Sequence, residues 1–282
     1  MAVVVVLLIA GVLGLATIDA SVAPSGDPLA VALAAAGRTA SVDSARLSAT
    51  SQTTIEGSSP VPVPAITVEG VFEFAGAMRS SLVMKAGGLQ IRLLNDGTTA
   101  YIELPVRTAG PRWVAAPTAK LTSGDSPFAA LSGPTLGGGS NPLGTLDQLK
   151  TEGLVRSATR GERAEVRGVA TDVFHLVLDG ARFKSAVSTM FANIPAAGAF
   201  GALRLEDPAL DLYIDGDGLV RRQVLRLTVG VDALGRRFSA TITSKGDLYD
   251  FGTPVTLDLP PADQVQDVES LSDVPGLFAG PS

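Results

Sequence analysis

The chain has a single histidine, His175, and no cysteine, which bounds its chemistry before any element is placed. Thiol nucleophiles, thiolate metal sites and disulfides are excluded, and a multi-histidine metal centre cannot be assembled. A Ser-His-Asp arrangement could use only His175, which stands in Val173-Phe174-His175-Leu176-Val177, the setting of a half-buried or surface histidine in a sheet. No Gly-x-Ser-x-Gly motif accompanies it. Glu69 and Glu73 fall on the polar side of a strand pattern, where solvation explains them better than acid–base work. Asp215-Gly216-Asp217-Gly218 alternates carboxylates before glycine as calcium loops do. Arg221, Arg222 and Arg226 follow where such a loop needs a bidentate acid, so the segment reads as a hairpin turn. Gly137-Gly138-Gly139 lacks a following Gly-Lys-Ser/Thr, so no phosphate-binding loop is present. No catalytic residue, metal or cofactor is therefore assigned, and a non-enzymatic protein is expected.

Composition points the same way. Of 282 residues 46% are hydrophobic and only 18% charged, enough apolar material for one sizeable core. The net charge of -6 supplies no basic surface for nucleic acid.

The first element is an uncharged apolar run, Ala2 to Ile18, of about 17 residues, at the lower edge of what spans a bilayer. It lacks the Lys or Arg region that orients such segments, which fits a start further upstream. Ser21-Val22-Ala23 has the small-x-small form of a cleavage site, but Pro24 follows, so a retained anchor is favoured over a cleaved signal. Residues 1–24 are read as this signal or membrane-anchor segment and 25–282 as a single domain at the outer face of the cell membrane.

The domain opens with a helix capped by Asp27 and Pro28, running through Leu29–Ala36 to near Gly37. A strand follows over Ser44 to Thr54, and then the alternation sharpens. Ile66, Val68, Gly70, Phe72 and Phe74 share one face, with Leu82 and Met84, then Leu89, Ile91 and Leu93, repeating the pattern. Asn95-Asp96-Gly97 turns into Ala100–Leu104. From Pro105 to Asn141 periodicity fails and Gly, Pro, Ser and Thr accumulate, which predicts a long flexible loop, either a flap over an opening or an insertion. Helices are expected from Asn141 through Leu149 and over Ala181–Asn193, the latter with Phe183 and Val187 on one face. Phe174, Leu176 and Leu178 alternate in a strand, as do Leu210, Leu212 and Ile214. Val220 to Val231 returns, Phe238, Ala240 and Ile242 alternate, and Val255, Leu257 and Leu259 close the set. The class expected is α+β: a large curved antiparallel sheet, a half-barrel, with about three helices covering its concave apolar face. Short helices over so large a sheet leave two alternatives, a filled core or an apolar pocket.

Several segments, in order, resemble the LppX/LprAFG family of actinobacterial envelope lipoproteins. They are Ser44-Ala45-Arg46-Leu47, Val68-Glu69-Gly70-Val71-Phe72-Glu73-Phe74, Arg167 through His175, Leu212 through Arg222, and Leu248-Tyr249-Asp250-Phe251-Gly252-Thr253-Pro254-Val255 through Pro260. The resemblance implies a carrier with the half-barrel of periplasmic lipoprotein carriers, holding an acylated lipid or lipoglycan for transport or presentation in the envelope. A membrane transporter is the further partner to look for. Family members carry a lipobox cysteine that this chain lacks, so Ala2–Ile18 would have to replace the lipid anchor. Strand parity assigns the cavity lining to Val68, Phe72, Phe74, Leu82, Met84, Ile91, Leu93, Phe174, Leu176, Phe183, Val187, Leu212, Ile214, Phe238 and Ile242. The competing reading is a structural, sensor or interaction module of the envelope with a filled core.

Overall fold

The computed structural model describes residues 26–56, 63–74, 79–104, 112–118, 155–184, 204–233 and 236–268, with side chains at 56, 204, 205, 207 and 231–238 excepted. The expected N-terminal anchor and the helix from Asn141 lie outside these residues, as do most of the 105–141 segment and of the Ala181–Asn193 helix. Among the described residues no helix is long and apolar enough to cross a membrane.

Helix α1, Pro28–Ala40, forms where alanines favour a helix and its start is satisfied: the Asp27 side chain accepts from the Leu29 N–H, and Pro28 occupies the first turn. It runs a turn past the Gly37 expected to end it. The extra turn is held by packing, since Gly37, Thr39 and Ala40 are all buried and Thr39 bonds to the sheet. Residues 180–184 are also helical.

The rest is one open, curved sheet, α+β in class. The described strands are β1 Ser44–Glu56, β2 Ile66–Glu73, β3 Ser80–Ala86, β4 Leu89–Asn95, β5 Thr99–Glu103, β6 Trp113–Pro117, β7 Val155–Val166, β8 Val169–Leu178, β9 Arg204–Asp215, β10 Val220–Ala233, β11 Arg236–Tyr249 and β12 Val265–Asp267. Their order is β12-β6-β5-β4-β3-β2-β1-β11-β10-β9-β8-β7. Two meanders, β1–β6 and β7–β11, are thus joined down the middle by β1 against β11. Pairing is antiparallel throughout except β12 on β6, which is parallel. Bulges at Arg160/Arg163 and between β9 and β10 raise the local twist. A further sign of coiling is that Arg167, in the β7–β8 turn, bonds Asp247 on β11 past two intervening strands, a reach a flat sheet would not allow.

Two expectations are corrected. Residues 113–117, inside the stretch read as a loop, form β6. Trp113, Val114, Ala115 and Ala116 are all buried, so neither face is polar and no alternation marks the strand. Conversely, Val255, Leu257 and Leu259 alternate but pair with no described strand. Prolines 254, 260 and 261 bound this segment and cannot donate to a ladder.

Candidate functional site

The register sorts the sheet into an apolar face and a polar face. On the apolar face, side chains line up across strands in rows. One row reads Leu212 (β9), Gln223 (β10), Gly246 (β11), Ala49 (β1), Val68 (β2), Met84 (β3) and Ile91 (β4). The next reads Leu210, Leu225, Ser244, Ser51, Ile66 and Ala86. The two strands at the centre therefore present only glycine, alanine and serine in two consecutive rows, while leucine, isoleucine, valine and methionine, with Gln223 next to Gly246, stand on both sides. Side-chain size is thus smallest at the junction of the two meanders, a depression in the sheet's own profile whose Ser51, Gly246 and Ser244 are buried in the fold. The row with Leu248 and Leu47 closes one end of it, and Ile242 with Leu227 stands at the other.

Helix α1 packs its alanine face on β7, β8, β9 and β10, the far half of this face. Val68, Phe74, Leu82, Met84, Phe174, Leu176, Phe183, Leu212, Ile214 and Ile242 are buried in one cluster, with Phe72, Ile91 and Leu93 packed against it. The structure thus brings thirteen of the fifteen residues assigned by parity onto one continuous apolar surface. Val187 and the side chain of Phe238 lie outside the described residues. Phe72 and Phe74 meet edge to face, 4.7 Å between centroids. Near the β3–β4 turn the same face opens to solvent: Leu89, with the parity of Ile91, is 52% exposed.

Parity reasoning missed the residues that make the depression. Ala49, Gly246, Ser51 and Ser244 are conspicuous only once β1 is known to pair with β11, which adjacency in sequence does not indicate. It also missed a polar group beside them, Gln223. The signal for Gln223 was present, since it shares its parity with Leu225, Leu227 and Val229.

The polar face is closed by its own ion pairs. Asp247 accepts from Arg222 at 2.6 and 2.8 Å and from Arg167 at 3.3 Å. Burial pushes its carboxyl up, but the bonds and charge of Arg222, with Lys245 and Arg167, outweigh this and hold it below the usual carboxylate range. At the β7–β8 edge, on the side of the sheet that Phe174 shares, Asp172 is lowered in the same way, burial being outweighed by Arg163 and Arg160. Asp211 accepts from Arg226 at 2.6 Å and faces His175 Nδ1 at 2.7 Å. His175 is thus a surface histidine of the sheet, with Gly161 pressed so near that a Cβ there would lie 2.4 Å from Nε2. Asp215 takes the amides of Asp217 and Leu219 and the Arg221 guanidinium at 2.5 Å, so the Asp215–Gly218 segment is a hairpin turn. Among the described residues no cluster of three or more candidate ligands could hold a metal ion.

No family model matches the chain, and no curated protein matches it in sequence. Among solved structures it is similar to the lipoprotein LppX of Mycobacterium tuberculosis, at 12% identity over 82% of this chain and 96% of that one, with a TM-score of 0.43. It is similar to LprF of Mycobacterium bovis at 15% identity, 83% and 96% coverage and a TM-score of 0.44. A LolA superfamily protein from Nitrosomonas europaea gives 9% identity, 80% and 95% coverage and a TM-score of 0.27. At identities of this size no residue role transfers from one chain to another.

Proposed function

We propose that the protein is a non-enzymatic, extracytoplasmic lipid carrier that houses acyl chains against the apolar face of its sheet. The observation that carries this reading is the small-residue centre of that face, Ala49, Gly246, Ser51 and Ser244 between the larger Leu212, Leu225, Val68 and Ile66. A filled core interdigitates large side chains against small ones to native density. Here small residues face the same way in adjacent rows, which leaves room for an elongated apolar guest. The half-exposed Leu89 continues this surface to solvent and gives such a guest an entry. The uncharged run from Ala2 to Ile18 supports an extracytoplasmic setting with the cell membrane as neighbour, and a membrane transporter as a further partner.

The test is uptake of a fluorescent acyl lipid by the full chain and by its Ala49→Trp variant. A guest site predicts that the indole fills the depression, abolishing uptake with little loss of stability. A filled core predicts no uptake by either protein and about 1–3 kcal/mol of destabilisation from overpacking.

A further inference from the structure

Two tips of the chain meet at one end of the sheet. Ile66 pairs with both Ser51 and Ala86, which sets the start of β2 beside the turn that joins β3 to β4. In that turn Gly87 and Gly88 have φ of 55° and 85°, the left-handed pair that such a two-residue hairpin turn requires. A Cβ on Gly87 would lie 3.3 Å from the Pro64 ring, whereas one on Gly88 would meet nothing within 4 Å. The turn thus leans on Pro64 at one glycine and projects into open space at the other. Pro64, Ala65, both glycines and Leu89 are exposed, Leu89 by 52%. A single exposed leucine is ordinary on a protein surface. What sets this end apart is that residues 63–68 and 86–91 hold no charged side chain, in a chain of which 18% is charged. Sheet borders in water ordinarily carry charges that discourage association. Here charge returns only behind the tips, at Glu69, Lys85 and Arg92.

We propose that these tips are the protein's contact with a lipid bilayer, Leu89 and the glycine turn entering the boundary between headgroups and acyl chains while Pro64 and Ala65 rest beside them. The inference rests on the carrier reading, in which a guest has to pass between a bilayer and the apolar face. Leu89 has the parity of Ile91, which packs on the apolar cluster, so the tip continues that face outward to the lipid. Insertion to the headgroup boundary leaves the turn's peptide groups within reach of water, which a deeper position would not. Lys85, exposed at the base of the hairpin opposite Gln90, has a stem long enough to keep its ammonium level with the phosphates. The uncharged run Ala2–Ile18 of the same chain suits the same surface.

The chain has no cysteine, so Leu89→Cys and, in the β9–β10 turn at the opposite end of the sheet, Asp217→Cys each carry one polarity-sensitive fluorophore on the full chain. The labelled proteins are mixed with vesicles of phosphatidylcholine and phosphatidylglycerol, with and without lipid spin-labelled near the headgroup. The probe at 89 is expected to shift to the blue and to be quenched by the spin label, and the probe at 217 to do neither. Ala65→Asp with Gln90→Asp, both at exposed positions, should return the probe at 89 to its emission in water. Lys85→Gln should weaken the shift on vesicles containing phosphatidylglycerol and leave it unchanged on phosphatidylcholine alone. A probe at 89 that keeps its aqueous emission, whether or not the protein floats with the vesicles, would overturn the proposal. So would a shift that grows with protein concentration in the absence of vesicles, which would assign the tips to a second copy. Uptake of a fluorescent acyl lipid by the unlabelled protein separates the two readings: uptake with an aqueous tip overturns the bilayer contact alone, and an inserted tip without uptake overturns the carrier reading alone.

Discussion

Thr39, in the last turn of α1, accepts the backbone N–H of Val220 on its Oγ1 at 2.8 Å, across 181 positions of the chain. The same hydroxyl donates to the Ala35 carbonyl at 2.7 Å, so one side chain ties the helix end to the first residue of β10. Arg38 adds a bond to the Asp217 carbonyl in the adjoining turn, at 2.9 Å.

Thr39→Val keeps the shape but leaves the Val220 N–H buried and unbonded. A loss of about 1–3 kcal/mol is expected in urea denaturation, read as a lower midpoint with unchanged slope. Thr39→Ser keeps the hydroxyl and should recover most of it.

Gly70 and Gly161 predict contrasting outcomes for the same substitution. A Cβ at Gly70 would lie 2.0 Å from the Ser81 carbonyl oxygen and 2.9 Å from Leu82 Cα, both backbone atoms of the neighbouring strand. Gly70→Ala must part β2 from β3 and is expected to cost about 3 kcal/mol or more, or to prevent folding. At Gly161 the obstacle is the His175 ring, which can swing away. Gly161→Ala should cost about 1 kcal/mol, through the lost bond between His175 and Asp211.

Ion-paired carboxylates set the sheet's response to acid. Asp247 and Asp172 titrate below the usual carboxylate range when folded, and Glu73 does so too, chiefly through its hydrogen bonds with Arg79. The unfolded chain therefore binds protons first as pH falls. The stability these groups contribute is fully present above about pH 4, the ordinary carboxylate value, and is lost as pH drops through their folded values. Asp247→Asn should lower stability at neutral pH, by leaving Arg222 and Arg167 unpaired, and flatten the acid limb of a stability–pH curve.

The sequence reveals the meanders and much less of what joins them. Alternation in Ile66–Phe74 and Leu210–Ile214 is visible because one side of each strand meets water and the other does not. Trp113–Pro117 shows no such contrast, being buried on both sides, and Val255–Leu259 shows it without a ladder. The depression depends on β1 meeting β11, a contact between residues nearly two hundred positions apart such as Ser51 and Ser244. No local pattern encodes that pairing, so the small residues there look like ordinary strand filler. Gln223 was legible as a polar residue at an apolar parity.

Native mass spectrometry of the full chain, purified from an envelope-forming host, shows whether this apolar face holds lipid. A lipid carrier is expected to retain acyl lipid under gentle ionisation, with the adduct removed by collisional activation and absent from Ala49→Trp. A wild-type protein that is repeatedly free of lipid, and takes up none when incubated with dipalmitoylglycerol, would contradict it.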